Sequence, residues 1–239
     1  MYIAYDDTFS GLLSALYVYY TKPDIQISRV STALPLLDCV VHTTHAQNAE
    51  KFARRICRRF GQTAYENLYF AFLFGSDDLE QAIIDYIASL MQKSDAYPHA
   101  VSKICNWRKR ILNSVYRYYG FLRFSEKNHI LYAAYEPDYD ISLLLSGYFA
   151  ERLAYAPFVI HDCRRSIMLL HRNRHYLLTE AKEEFTAARL DEGETYIQKL
   201  FRSYFESASI QTRTNPRLQR SNFPLKMRTH AFEFDNPDK

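Results

Sequence analysis

Residues 120–135, Gly-Phe-Leu-Arg-Phe-Ser-Glu-Lys-Asn-His-Ile-Leu-Tyr-Ala-Ala-Tyr, mark the point where the hydrophobic period of the chain changes. Before Gly120 apolar side chains recur at helical spacing, and after it short apolar runs are separated by polar turns. Phe121–Phe124 and Ile130–Tyr135 read as two strands joined by the polar turn Glu126-Lys-Asn-His129, with Pro137 ending the second. Toward the C-terminus, Asp138 or Asp140 is placed to cap a helix from Ile141 to Leu153. Phe158–Cys163, Ile167–His171 and His175–Leu178 then form a strand series, with Arg172-Asn-Arg174 as a tight turn. Tyr196, Ile197, Leu200, Phe201, Tyr204 and Phe205 mark a last amphipathic helix, and the chain from Gln211 onward reads as basic and irregular.

Working back from Gly120, one apolar stripe of Ile104, Trp107, Ile111, Val115 and Tyr118 makes a helix that begins near Pro98. Tyr65–Phe74 is an aromatic helix ended by Gly75, and Asp77 with Glu80 opens another that runs to Met91. Thr44 with Gln47 has the capping-box spacing for a helix through Phe60, in which Phe52, Ile56 and Phe60 share one side and Arg54, Arg55, Arg58 and Arg59 take much of the rest. Residues 2–5 and Cys39–His42 read as short strands, and Phe9, Leu12, Leu13, Leu16 and Tyr20 as a helix between them. The expected fold is α+β, a helical N-terminal half packed with a small antiparallel sheet and flanking helices in the C-terminal half. Residues 1–119 form the mainly helical region with its short N-terminal strand, 120–210 the sheet with two helices in one continuous domain with the first region, and 211–239 a basic irregular tail.

With 239 residues and 48% hydrophobic content, the chain has ample material for a core. Cys39, Cys57, Cys105 and Cys163 are isolated, with no C-x-x-C pair, so no zinc or iron–sulfur spacing exists and the thiols read as reduced and mostly buried. The opening Met1-Tyr-Ile-Ala meets Asp6 and Asp7 at once, unlike a signal peptide, and no apolar run reaches membrane-spanning length. The expectation is a cytoplasmic protein with no membrane partner.

The net charge of +3 is modest, but the charges come in blocks. Lys51–Phe60 holds five basic residues and no acid, Val101–His129 seven against Glu126, Arg164–Arg174 four, and Gln211–Arg228 five. Acidic stretches at Glu66–Asp95 and Glu180–Glu194 lie between them. Such blocks either converge into a footprint for a polyanion or simply solvate helix faces.

Six glycines, at 11, 61, 75, 120, 147 and 193, cannot write a P-loop or a dinucleotide fingerprint. His161-Asp162 lies on a strand, so the two side chains face opposite ways; His161 shares its side with Cys163 and Arg165, and reads as a hydrogen-bonded structural histidine. Pro137-Asp138 with Glu180-x-Lys182 mimics a nuclease carboxylate set, but Asp138 has the simpler role of a cap. No catalytic residue is assigned, and no metal or other cofactor is expected. In the tail, Arg213, Asn215, Arg217, Gln219 and Arg220 carry the fork and amide donors that contact phosphates and base edges, with Phe223 as a stacking ring. Arg123, Arg164 and Arg165 complete the candidate nucleic-acid-binding set. The competing reading pins the tail arginines to acids near Glu183 and Glu184.

Gly120-Phe-Leu-Arg-Phe124, Glu136-Pro-Asp138, Tyr148-Phe-Ala-Glu-Arg152, Phe158-Val-Ile-His-Asp-Cys-Arg-Arg165 and Asn215-Pro-Arg-Leu-Gln-Arg220 with Pro224 together resemble the bacterial "probable DNA metabolism protein" family. Tyr5-Asp-Asp-Thr-Phe9 is similar to that family's start, with Asp7 where the family commonly has Gly. Met227–Phe234 lacks the family's usual aromatic pair after the proline. The family is a domain of unknown function associated with a radical-SAM protein of DNA modification or repair, and sometimes joined to a uracil-DNA glycosylase-like domain. The resemblance implies DNA, single- or double-stranded, and that radical-SAM protein as partners; it brings no catalytic residues. Three readings stand: a DNA-binding accessory in repair or modification, which is favoured; an enzyme acting on DNA, a nuclease or base-processing activity, without a tightly bound cofactor; and a purely structural adaptor.

Overall fold

The computed structural model describes residues 2–22, 25–32, 39–92, 98–154, 156–183 and 189–234. The fold is α+β, and the chain divides into two compact units, Met1–Ile111 and Leu112–Lys239.

In the first unit, strand β1 (Tyr2–Tyr5) leads into helix α1 (Phe9–Tyr19), then β2 (Gln26–Arg29), β3 (Cys39–Val41), α2 (Ala46–Phe60), α3 (Gln62–Phe74), α4 (Leu79–Gln92) and α5 (Pro98–Phe121), which runs past the unit boundary. The strands form a parallel sheet in the order β2-β1-β3, with Ile3 opposite Ile27 on one side and Val40 on the other. Parallel neighbours need a crossover, and α1 supplies the one between β1 and β2. The sequence pattern shows β1 and β3 but not β2, whose Gln-Ile-Ser-Arg buries Ile27 alone.

Helical periodicity sets the core. Leu12 and Leu16 of α1, Phe52 and Ile56 of α2, Leu68 of α3, Ile83 of α4 and Ile104 of α5 are all buried in one cluster, and each such side chain contributes about 1.5–3 kcal/mol of transfer free energy. Phe74 and Trp107 stack at 4.9 Å between ring centroids. Gly75 ends α3 in the left-handed region at φ +68°, where a Cβ would be strained.

The N-termini of the helices do not follow the expected caps. Thr8 caps α1, its Oγ1 accepting from Gly11 N at 2.9 Å. Thr44 does not cap α2: the N-cap is His45, and Thr44 Oγ1 instead donates to Asp6 Oδ2 at 2.7 Å. The competing acceptor at the end of β1 draws the hydroxyl away from the helix. Asp6 also accepts from Thr8, and its carboxyl lies so close to Gly11 that a Cβ there would stand 2.0 Å from Oδ1.

In the second unit, β4 (Ser125–Lys127) and β5 (Ile130–Tyr135) form a hairpin, followed by α6 (Ser142–Arg152), β6 (Phe158–Asp162), β7 (Ile167–Arg172), β8 (His175–Glu180), α7 (Glu192–Ser207), a 3-10 turn at Gln211–Arg213, α8 (Pro216–Asn222) and α9 (Leu225–Arg228). The sheet order is β4-β5-β6-β7-β8. It is mixed, not antiparallel as expected: β5 and β6 run parallel with Leu131 opposite Phe158, because α6 carries the chain back to the starting end before β6 begins. Phe121–Phe124 is not the first strand. The helix α5 reaches Phe121, and pairing starts only at Ser125, opposite Tyr132. Asn128 and His129 turn the hairpin at φ +49° and +60°, and Asn173 with Arg174 turn the next at +52° and +65°.

Phe158 and Ile160 of β6 are buried, as is Phe149 of α6, and Tyr135 Oη lies 2.7 Å from Ser142 Oγ at the start of that helix. Of the two aspartates expected to cap α6, Asp138 does not, and the N-cap position is Ile141, while Asp140 accepts from the N–H of Ser142, the first residue of the helix. On α7 the inward side mixes polar and aromatic residues: Gln198 Nε2 donates to Ser125 Oγ at 2.8 Å, Arg202 Nε to the Phe232 carbonyl at 2.9 Å, and Phe205 meets the Phe234 ring at 5.7 Å between centroids. Its apolar stripe, Tyr196, Ile197, Leu200 and Tyr204, is exposed. The region from Gln211 is not irregular but holds two short helices, the first capped by Asn215, whose Oδ1 accepts from Leu218 N at 3.0 Å.

Candidate nucleic-acid interface

The α2 sequence places Lys51, Arg54, Arg55, Arg58 and Arg59 at i, i+3, i+4, i+7 and i+8, which is one stripe of a helix. Ala49, Phe52 and Ile56 occupy the buried side, so the core fixes which way the cations point. Together with Tyr17 of α1, these five residues line an open groove of about 560 Å³. Arg54 pairs with Glu50 at 2.6 Å one turn back, and the Arg59 guanidinium lies 5.3 Å from the centre of the Phe60 ring. Lys51, Arg55 and Arg58 have no ion-pair partner among the described residues. The basic block is plain in the sequence, yet it lies outside the candidate set drawn from it.

The predicted arginines of the second unit are placed otherwise. Arg123 Nε and Nη2 reach Oε1 of the buried Glu233 at 2.9 and 2.8 Å, and Nη1 donates to the Gly120 carbonyl. Arg164 pairs with Asp138 at 3.1 Å. Arg165 reaches the fully buried Asp162 at 2.8 Å and donates to the carbonyls of Pro137 and Asp138. Asp138 also takes Lys226, and this hydrogen bond with the nearby Arg164 charge holds its carboxyl below the usual carboxylate range. Arg213, Arg217, Gln219 and Arg220 are exposed, and Arg213, Asn215 and Gln219 line a groove of about 440 Å³ with Ser209, Ile210 and Leu218. The Asn215 side chain is committed to its cap. Phe223 stacks on Phe121 at 4.2 Å and is not an open platform. Of the two acids expected to hold the tail, Glu183 is exposed and Glu184 lies outside the described residues.

Elsewhere on the sheet, His161 Nδ1 lies 2.6 Å from Tyr132 Oη and 3.6 Å from Cys163 Sγ. Burial pushes the imidazole pKa down and the Tyr132 phenol up to about 12, so the phenol keeps its proton and donates to a neutral ring. Burial likewise raises the Cys163 thiol, which makes it a poor nucleophile at neutral pH. Cys105 is exposed and Cys57 and Cys163 are half-buried, against the expectation of mostly buried thiols. Glu126, His129 and Asp191 also meet, at the β4–β5 turn. Asp191 joins them across 62 residues, which no spacing rule finds, and its oxygens accept from the N–H groups of Asn128 and His129.

The profile of one family, described as a domain of unknown function, DUF4130, matches residues 59–233. The chain belongs to the DUF4130 family. The DUF4130 segment takes in the whole described second unit up to Glu233 and, in the first, α3, α4 and the start of α5; β1–β3, α1 and nearly all of α2 precede it. No curated protein matches the chain significantly, and no solved structure does. No helix among the described residues is long and apolar enough to cross a membrane.

Proposed function

We propose that this DUF4130 protein is a nucleic-acid-binding accessory in DNA repair or modification, gripping phosphates along α2. The groove of Tyr17 with Lys51, Arg54, Arg55, Arg58 and Arg59 is the observation that carries the reading. From Lys51 to Arg59 the stripe is ~12 Å long at about 1.5 Å per residue, and a DNA strand places a phosphate every ~3.4 Å of axis, so three to four phosphates lie within its reach. Tyr17 adds a ring against which an unstacked base can lie. Exposed Arg213, Arg217 and Arg220 give the second unit its own phosphate contacts in this reading. The resemblance noted from the sequence supplies the radical-SAM partner.

Fluorescence anisotropy with labelled single- and double-stranded DNA, from about 50 to 200 mM salt, tests it. Phosphate contacts make log affinity fall linearly with log salt, with a slope near −0.9 per phosphate on duplex. A slope near zero would overturn the proposal. The adaptor reading is favoured by a different observation, the solvent-facing apolar stripe of α7, and a flat salt dependence would leave it standing.

A further inference from the structure

We infer that the free edge of β2 binds an extended, lysine- or arginine-bearing segment of a protein partner by strand addition. In the three-stranded sheet β2 is an edge strand, paired among the described residues only with β1, and residues 25–28 of its outer side line a groove. That groove, about 560 Å³, is walled by Ile25, Gln26, Ile27 and Ser28 on one side and by Asp77, Asp78, Glu80, Gln81 and Ile84 at the start of α4 on the other, with Tyr19 at its end. Its lining carries three carboxylates and no cation.

The acids are not equivalent. Glu80 accepts from Tyr5 Oη at 2.6 Å and pairs with Arg29, which holds it in place behind the strand. Asp78 is ionised through its contacts with Lys103 and Ser76, which hold its carboxyl below the usual range. Asp77 is exposed and has no ion-pair partner among the described residues. A strand laid along β2 makes main-chain hydrogen bonds to it and turns alternate side chains to either face. One set meets Asp77, the carboxylate of the groove with no ion-pair partner among the described residues, and the other meets the apolar ground of Ile25, Ile27 and Ile84. The occupant is therefore an alternating basic and apolar segment. Charge excludes the two rivals: a second copy of the chain would set these acids against their own duplicates, and a nucleic acid would bring phosphates to carboxylates.

The test uses the full chain and a fluorescein-labelled peptide, Lys-Val-Lys-Val-Lys-Val, at low salt. Saturable binding is expected, weakened at least tenfold in the double variant Asp77→Lys with Gln81→Lys. The same peptide with every backbone nitrogen methylated keeps its charge but cannot donate to β2, and should bind the wild-type protein at least tenfold more weakly. No binding by the plain peptide, or equal affinity for the methylated one, overturns the inference. The methylated arm needs no variant, so the result stands even where the charge reversal unfolds the protein. Because α2 is untouched, wild-type DNA binding by the double variant separates this outcome from the fate of the nucleic-acid reading.

Discussion

In the second unit Arg123, Arg164 and Arg165 all reach carboxylates of their own unit, whereas in the first Lys51, Arg55 and Arg58 stand along α2 with none among the described residues. Both sets come from basic blocks that look alike in sequence. What separates them is the element beneath. Strand ends and turns bring these arginines beside acids, Asp162 three residues back for Arg165 and Asp138 or Glu233 from elsewhere in the fold for Arg164 and Arg123. The long helix α2 has a single acid, Glu50, which takes Arg54, and keeps its other cations apart at fixed spacing. A count of cations thus says little about a field; their spacing on one rigid face says more.

If this contrast holds, changes in the second unit should strike stability and changes on α2 should strike binding. The largest effect is expected from Arg165→Ala. It leaves the fully buried Asp162 carboxylate with only the N–H groups of Arg164 and of residue 165 itself, and breaking such a pair costs about 3 kcal/mol. Urea unfolding reads the loss, and a change below about 1 kcal/mol would place this pair with ordinary surface pairs. Next, Lys51→Gln with Arg55→Gln and Arg58→Gln should leave the melting temperature near wild type. The same triple change should weaken DNA binding about thirtyfold at moderate salt and flatten the salt slope by roughly 0.9 for each phosphate no longer held.

A smaller loss, about tenfold or less, is expected of Arg213→Gln with Arg217→Gln and Arg220→Gln, because α8 has only seven residues and gives its arginines a shorter face. A loss exceeding that of the α2 variant would move the main interface to the second unit. Acid gives a pH-dependent check. Burial holds the folded-state pKa of His161 and His42 below the ordinary value. The unfolded chain then binds more protons, so stability is full above about 6.5 and falls as pH drops below it. Asp138, held down by Lys226, acts lower: its contribution is present above about 3.9 and is lost as pH falls through its folded value. Thermal unfolding from pH 8 to 4 should show the upper stage and the onset of the lower, with the upper one reduced in His161→Gln. The least effect is expected at Asp7, which sits at φ +55°. Asp7→Gly relieves a left-handed residue but loosens the unfolded chain, for a net gain of roughly 0.5 kcal/mol, and should leave DNA binding unchanged.

Much of this architecture is legible in local patterns. The strands β5 to β8 and the helices α2, α3, α5 and α6 announce themselves through apolar period and flanking Gly, Pro or Asn, because burying one face is a local demand on the sequence. The strand β2 is not legible, since four residues with one buried side chain carry no period. Nor is the groove beside it, which exists only once α4 lies next to that strand. Thr44 and Asp138 show why cap motifs mislead: each has a competing partner, Asp6 or Arg164 and Lys226, that local spacing cannot reveal.

The sequence by itself determined the α+β class, the cationic stripe of α2 and the absence of any P-loop or dinucleotide word, because each depends on residue type at fixed spacing within one segment. Only the tertiary structure decided that β5 and β6 run parallel, that α7 turns its apolar stripe outward, and which arginines find carboxylates. Except for Arg165, whose Asp162 lies three residues back, those outcomes depend on partners more than twenty residues away, such as Asp138 for Arg164 and Glu233 for Arg123, and a charge is available to a ligand only after such in-chain partners have been satisfied.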